Sequence, residues 1–182
     1  MLIELKNIAT GNFTGNEVVM DEIIAAVLKR LQARMESRGQ VDLAHDGKLE
    51  ERTLLHHQRV EVTGVTQSQL NELTERVEGP LVTWFDRAVA YGCDMTVVTD
   101  MCVNQQWNPA MIVSWPFTFK DKQGRKVYSF KERIISASAI RTCNKESVIL
   151  IFRGQRFTAL GLDELRDRHL VCVEGTKRYA DW

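Results

Sequence analysis

The sequence predicts an α+β protein in which N-terminal helices pack on a mainly antiparallel sheet formed by the C-terminal half. The apolar period is about 3.6 through most of the first ninety residues and about 2 after residue 95. Helices therefore come first and strands later, an order typical of α+β folds. With 182 residues and 44% apolar content, we expect a single domain over 1–182, with a helix-rich lobe at about 1–100 and a β-rich lobe at about 101–182.

The first element after the N-terminus is expected to be a short strand at residues 2–8, LIELKNI, where apolar and polar residues alternate. Thr-Gly-Asn then occurs twice, at 10–12 and at 14–16, which predicts two tight turns. A strand, a glycine loop and a helix follow the order of a phosphate cradle. However, Gly15 is followed by Asn16 and Glu17 rather than by the Lys and Ser or Thr of a P-loop, so nucleotide binding is not expected.

An amphipathic helix is predicted at about 20–38, because Ile24, Val27, Leu31 and Met35 recur at helical spacing. Residues 38–53 are polar and have no period, so they predict an exposed connection. A strand is expected next, at about 54–63.

Two further helices are predicted at 66–78 and 80–91. Thr66 with Gln69 three residues later forms a capping-box pattern, and Val65 with Leu70 forms a hydrophobic staple. Pro80 fits the first turn of a helix but not a helix interior, so the chain should bend there.

The segment Ser114 to Arg133 has the most definite pattern in the chain and predicts a β-hairpin. Aromatic residues alternate along both arms: Trp115, Phe117, Phe119, Tyr128 and Phe130. A two-residue loop at Gln123-Gly124 would place Phe119 opposite Tyr128 and Phe117 opposite Phe130. A four-residue loop would also keep the rings on one face, whereas a three-residue loop would put the two arms' rings on opposite faces. The pattern therefore predicts a loop with an even number of residues.

Cations surround this hairpin, and residues 116–156 as a whole carry 10 basic and 3 acidic side chains. A sheet face of rings bordered by cations would suit a nucleic acid strand, with bases stacked on the rings, or an acidic partner. The plainer interpretation is that the rings form the core face against the helices, which a small α+β domain needs. The candidate binding residues are Lys120, Lys122, Arg125, Lys126, Lys131 and Arg133.

The chain after the hairpin predicts a compact meander of short strands, a helix from about Leu162 and a final strand at 169–174. This alternation, with Leu162-Asp163-Glu164-Leu165 as an L-x-x-L pattern, is similar to a passage in the LytTR family of DNA-binding domains. The resemblance covers roughly 30 residues and rests on apolar spacing. The basic and aromatic motif of that family is absent after the helix, so the resemblance implies no site residue and no function here.

Catalytic and metal-binding patterns are scarce, and we predict no catalytic residue, metal ligand or cofactor. His56 and His57 would point to opposite faces of a strand. Asp94 and Asp100 would lie about 20 Å apart on extended chain, too far for an acid/base pair. Four cysteines without a C-x-x-C pair indicate reduced thiols: Cys93, Cys102, Cys143 and Cys172.

The function expected from these observations is that of a non-catalytic cytoplasmic binding or assembly protein that acts through protein–protein interaction, with self-association as one form. No apolar run is long enough to cross a membrane. The alternative is a nucleic-acid-binding module that uses hairpin 114–133. A third hypothesis is an enzyme whose site is assembled from dispersed residues such as Asp94, Asp100, His56 or Cys102. The terminal segment 176–182, TKRYADW, would dock on a neighbouring subunit or fold back on its own core.

Overall fold

The computed structural model of the chain describes residues 13–45 and 47–181, with the backbone alone for 13–19 and 181. It divides into two compact units, residues 1–37 and 38–182. The strand expected at 2–8 and the turn at 10–12 lie outside the described residues. No helix among the described residues is both long and apolar enough to cross a bilayer.

The first unit contains one long helix, α1 (Phe13–Glu36). It confirms the amphipathic helix predicted at about 20–38. The turn predicted at 14–16 is wrong, because these residues already belong to α1.

In the described part of the second unit, 38–45 and 47–181, there are six helices, nine strands and a terminal 3-10 helix. In chain order these are β1 (Arg38–Asp42), α2 (Glu51–His56), β2 (Arg59–Val65), α3 (Gln67–Glu75), α4 (Pro80–Ala90), β3 (Asp94–Thr99), α5 (Pro109–Ser114), β4 (Thr118–Lys120), β5 (Lys126–Tyr128), β6 (Ile134–Ile135), α6 (Ala137–Arg141), β7 (Val148–Arg153), β8 (Arg156–Phe157), α7 (Ala159–Asp167), β9 (Val171–Arg178) and the 3-10 helix Tyr179–Asp181.

Seven strands form the main sheet in the order β1-β2-β3-β4-β5-β7-β9. Strands β1 to β4 are parallel to one another, β4 and β5 are antiparallel, and β5, β7 and β9 are parallel. The mixed α+β class is confirmed, but the mainly antiparallel sheet is wrong: the β4–β5 hairpin joins two parallel halves. The sheet also draws β1 and β2 from the N-terminal half, so it spans both predicted lobes.

The first core lies between one face of this sheet and the helices α2 to α5. The helices predicted at 66–78 and 80–91 are confirmed as α3 and α4, and the capping box of Thr66 and Gln69 is present. Pro80 is the first residue of α4. The buried residues that the helices contribute include Leu54, Leu70, Leu73, Trp84, Phe85 and Met111, and those of the sheet include Val41, Val60, Val62, Met95, Val97, Phe119 and Leu150.

A second, smaller core lies on the opposite face of the sheet, at β5 and β7 only. Ile149 and Ile151 of β7 pack there with Ile135, Ile140 and Leu170. The helix expected from about Leu162 and the final strand expected at 169–174 are confirmed as α7 and β9. The meander is wrong, since α6 lies between β6 and β7, and β7 pairs with β9 in parallel.

Two predictions for the stretch before residue 66 are wrong. Residues 38–53 contain β1 and the start of α2 rather than an exposed connection, and residues 54–56 are helical rather than extended. The strand begins at Arg59 instead. The terminal segment extends β9 and then packs within its own unit: the Tyr179 hydroxyl donates to the Lys131 carbonyl at 2.9 Å.

Candidate functional site

The tip of the β4–β5 hairpin is organised by a buried carboxylate, that of Asp121. This side chain is 0% exposed, and its Oδ1 accepts the backbone N–H groups of Gln123 and Arg125, both at 3.0 Å. Its Oδ2 accepts Nε and Nη2 of Arg125 at 2.9 and 2.7 Å. Gly124 has φ +76, the left-handed region that a side chain rarely adopts. The loop is thus a three-residue turn closed by an Asp121–Arg125 ion pair.

The hairpin itself is confirmed, but the even loop is wrong. Phe119 pairs with Val127 and Lys120 with Lys126, so the register is shifted by one residue from the expected one. A shift of one residue moves every side chain of one arm to the other face. The cause is the side chain of Asp121, whose bonds to the loop N–H groups favour a three-residue connection that aromatic spacing could not reveal.

This register distributes the rings between the two cores. Trp115, Phe117 and Phe119 are buried in the first core, while Tyr128 and Phe130 are half-buried against the second. The interpretation of the rings as core residues is therefore confirmed for the first arm. The nucleic-acid hypothesis loses its stacking platform and rests on the cations.

The predicted cations do not form one group. Lys120, Arg125 and Lys126 line a shallow depression of about 340 Å³ together with Lys145, which the sequence analysis did not single out. Lys122 is exposed in the loop. Lys131 and Arg133 lie beyond the hairpin; both are exposed, and they are held in place through their backbone carbonyls.

Lys120 and Lys126 stand directly opposite each other on paired strands. Among the described residues, none forms an ion pair with either of them. Like charges in this position destabilise a sheet. The tip is therefore an anion-attracting surface whose positive charge is only partly neutralised, by Asp121 and Glu146.

The second face of the sheet at β1 to β4 is polar, and we call it the open face. Its residues are exposed or half-buried, and they alternate with the buried residues of the first core. Arg38 and Arg59 are neighbours across β1 and β2, and Asp94 follows Arg59 on β3. A depression of about 240 Å³ lies over them. The open face consists of Arg38, Gln40, Arg59, Glu61, Asp94, Thr96, Thr118 and Lys120.

The dispersed residues considered for catalysis do not meet in this depression. Asp94 lines it, whereas Asp100, His56 and Cys102 do not. Among the described residues, no group of His, Cys, Asp and Glu side chains is arranged to hold a metal ion.

One carboxyl group and two thiols have shifted pKa values that bear on the candidate chemistry. The pKa of Asp42 is lowered, first by the Ala44 N–H that donates to it at 3.0 Å and then by His45 at 2.7 Å. Burial raises the pKa of Cys143 to about 11. Desolvation likewise raises the pKa of Cys172 to about 11. A raised pKa leaves a thiol protonated and unreactive, so neither cysteine has the character of a nucleophile.

The most unusual surface belongs to α1. Seven large apolar residues lie along one side of the helix, and each is between 48% and 60% exposed. We call this the apolar stripe: Met20, Ile23, Ile24, Val27, Leu28, Leu31 and Met35. The spacing predicts the helix, but it does not distinguish an apolar side that is buried in a core from one that docks on a partner.

Comparison with known proteins gives one family. The model of the PDU_like family, described as "Putative propanediol utilisation", matches residues 22–171, which is most of the chain. The chain belongs to this family. No curated protein and no solved structure matches it significantly. The family match covers the main sheet except β9, the buried residues of both cores and the α1 stripe from Ile23 onward.

Proposed function

We propose that this protein is a non-catalytic binding or assembly component of propanediol utilisation, acting in the cytoplasm through protein–protein interaction, and that α1 is its docking element. The family description supports the physiological setting. The observation that carries the docking role is the exposure of the apolar stripe.

Exposure of the apolar stripe to water is unfavourable in free energy. Seven side chains that are each about half exposed present on the order of 600 Å² of apolar surface, at the upper end of what a monomer usually leaves uncovered. Patches of this kind mark interaction sites. Helices also gain most of their stability from packing of an apolar face rather than from intrinsic propensity. A partner on the stripe would therefore stabilise α1 and remove the apolar surface from water together.

The opposite side of α1 supports a one-sided docking helix. Glu22, Lys29, Ala26 and Ala33 fall on that side at the helical period, and all are exposed. A helix that is apolar along one side and small or charged along the other fits a groove or a matching helix. The hairpin-tip cations offer a separate electrostatic surface, but the rings beside Lys126 are the buried Phe117 and the half-buried Tyr128, which leave no exposed platform for a base.

The test compares two double variants with the same added charge. Ile24→Glu with Leu31→Glu places two carboxylates on the stripe, and Ala26→Glu with Ala33→Glu places two on the other side at the same spacing of seven residues. Purified proteins of the propanediol-utilisation system, and this chain itself, are offered one at a time to each immobilised form. We expect the stripe variant to lose at least about tenfold in affinity and the control to bind like the unaltered protein. Equal binding by all forms, or no binding by the unaltered protein to any of them, would overturn the proposal.

A further inference from the structure

We propose that the occupant of the apolar stripe is α1 of a second copy of this chain, paired antiparallel about a two-fold axis that passes between Val27 and Leu28. This inference rests on the proposed function and specifies its partner. Three observations on α1 carry it: the symmetry of the stripe, the distribution of charge and the area available.

Apart from Ile23, the residues of the stripe have the same spacing when the helix is followed in either direction. Met20 and Met35 lie equally far from the point between Val27 and Leu28, and so do Ile24 and Leu31. A two-fold interface requires that residue i of one copy meets residue j of the other and that j meets i. An antiparallel pair centred at this point satisfies the requirement: Met20 meets Met35, Ile24 meets Leu31, and Val27 meets Leu28. Ile23, the seventh residue of the stripe, lies at the same height as Gln32 of the other copy.

Charge along α1 favours the antiparallel over the parallel arrangement. Beside the stripe, Asp21 lies in the N-terminal half of α1, whereas Arg30 and Arg34 lie in the C-terminal half. In an antiparallel pair, the acidic N-terminal half of one α1 lies beside the basic C-terminal half of the other. Parallel pairing would set acid beside acid and base beside base. Paired helices are about 8 to 10 Å apart, which is within the screening length at physiological salt, so these charges act across the interface.

The area is sufficient for a specific dimer. Two stripes together offer on the order of 1,200 Å², which reaches the lower bound of standard protein–protein interfaces. The stripe extends over 16 residues from Met20 to Met35, roughly 22 Å of helix. The association expected from an interface of this size is specific but reversible.

Disulfide trapping tests the orientation. All variants carry Cys102→Ser and Cys172→Ser, since these two thiols are exposed. Ile24→Cys and Leu31→Cys are prepared separately, oxidised alone and then oxidised as a mixture. In the antiparallel pair, position 24 of one copy is about 10 Å along the axis from position 24 of the other, which is beyond the reach of a disulfide. We therefore expect a covalent dimer in the mixture and almost none from either variant alone. Cross-linking of each variant with itself would overturn the antiparallel arrangement.

Sedimentation velocity over a range of concentrations tests the self-association. Val27→Glu brings two carboxylates together at the two-fold axis and should raise the dimer Kd by at least about 100-fold, whereas Ala26→Glu, one residue away, should leave it within a few-fold. Because opposite charges meet, raising the salt concentration should weaken the dimer of the unaltered protein.

The possible failures are distinguishable. A protein that stays monomeric at every concentration overturns the self-pairing, while loss of binding to another protein in the stripe variant would still support the proposed function. If Val27→Glu lowers the Tm of a monomer and does not change any association, the stripe serves the chain's own fold, and both proposals are overturned.

Discussion

Removal of the Asp121 carboxylate should cost far more stability than removal of an exposed carboxylate. Asp121→Ala deletes four hydrogen bonds, two of them from the guanidinium of Arg125. Breaking a fully buried ion pair costs about 3 to 5 kcal/mol, because the remaining charge stays unpaired. The side chain of Arg125 is 27% exposed, and the loop N–H groups can turn to water, so part of this penalty is recovered. We expect a loss of about 3 kcal/mol in the free energy of unfolding.

Urea denaturation measures this loss, with fluorescence of the buried residues Trp84, Trp107 and Trp115 as the signal. For a chain of this length a loss of 3 kcal/mol corresponds to a decrease in Tm of about 6 to 12 °C. Asp121→Asn keeps an oxygen for the loop N–H groups and should lose about half as much. Asp94→Ala removes an exposed carboxylate and should change stability by less than about 0.5 kcal/mol. If Asp121→Ala is as mild as Asp94→Ala, the carboxylate does not hold the loop and the explanation of the register is refuted.

Three other changes test separate parts of the fold. Thr66→Ala removes the capping box of α3 and should cost about 1 kcal/mol in urea denaturation, with Thr66→Ser restoring most of it; equal losses for both variants would contradict a capping role. Lys126→Glu converts a like-charge pair with Lys120 into an opposite-charge pair, so it should stabilise by about 0.5 kcal/mol, and the gain should shrink at high salt; Lys126→Gln should fall between the two, and destabilisation by Lys126→Glu would count against the unneutralised pair. Iodoacetamide at pH 8 should alkylate exposed Cys102 in the native protein and spare Cys143, whose pKa is raised to about 11 by burial, until the chain unfolds; equal native rates would show that Cys143 is accessible.

Features set within a few residues could be predicted from the sequence. The start of α3 depends on bonds between Thr66 and Gln69, and the start of α4 depends on the fixed φ of Pro80. The apolar spacing of α1 indicates a helix without reference to any other segment. Each of these signals is complete in one or two helical turns, and each was confirmed.

Strand β1 could not be predicted because only one of its two faces is buried, and that face carries a single large apolar residue. In Arg38–Asp42 one buried apolar residue, Val41, stands among polar residues, since alternate positions lie on the open face. Gly39 occupies the other core-facing position, where a Cβ would come within 2.8 Å of the His57 ring. Because Gly39 has no side chain, the core-facing positions of β1 show no apolar alternation in the sequence. The same polar alternation that hid the strand produced the open face with its Arg38 and Arg59 neighbours.

The parallel pairing was missed because two of the connecting helices are very short. Helices α2 and α5 have six residues each, too few for an apolar period to emerge. When α2 is not recognised in the sequence, residues 38–65 are predicted to contain one long strand. When α5 is not recognised, the residues between β3 and the hairpin are predicted to be irregular. With both helices recognised, β1 to β4 alternate with helices, which is the pattern of a parallel sheet. Strand direction is thus a property of the connections rather than of the strands.

The hairpin register links these observations to function. With a two-residue loop, Tyr128 would have faced the first core beside Phe119, and Val127 would have turned to the second face. The three-residue loop closed by Asp121 and Arg125 instead keeps Val127 in the first core and sends Tyr128 to the second, where its hydroxyl donates to Asn144 at 2.8 Å. Both cores therefore depend on one buried carboxylate at the tip. Because the rings are divided between the cores, Lys126 borders the buried Phe117 and the half-buried Tyr128 but no continuous exposed aromatic face. Under the proposed function, the tip would therefore attract a partner mainly through its cations, whereas apolar docking is assigned to α1.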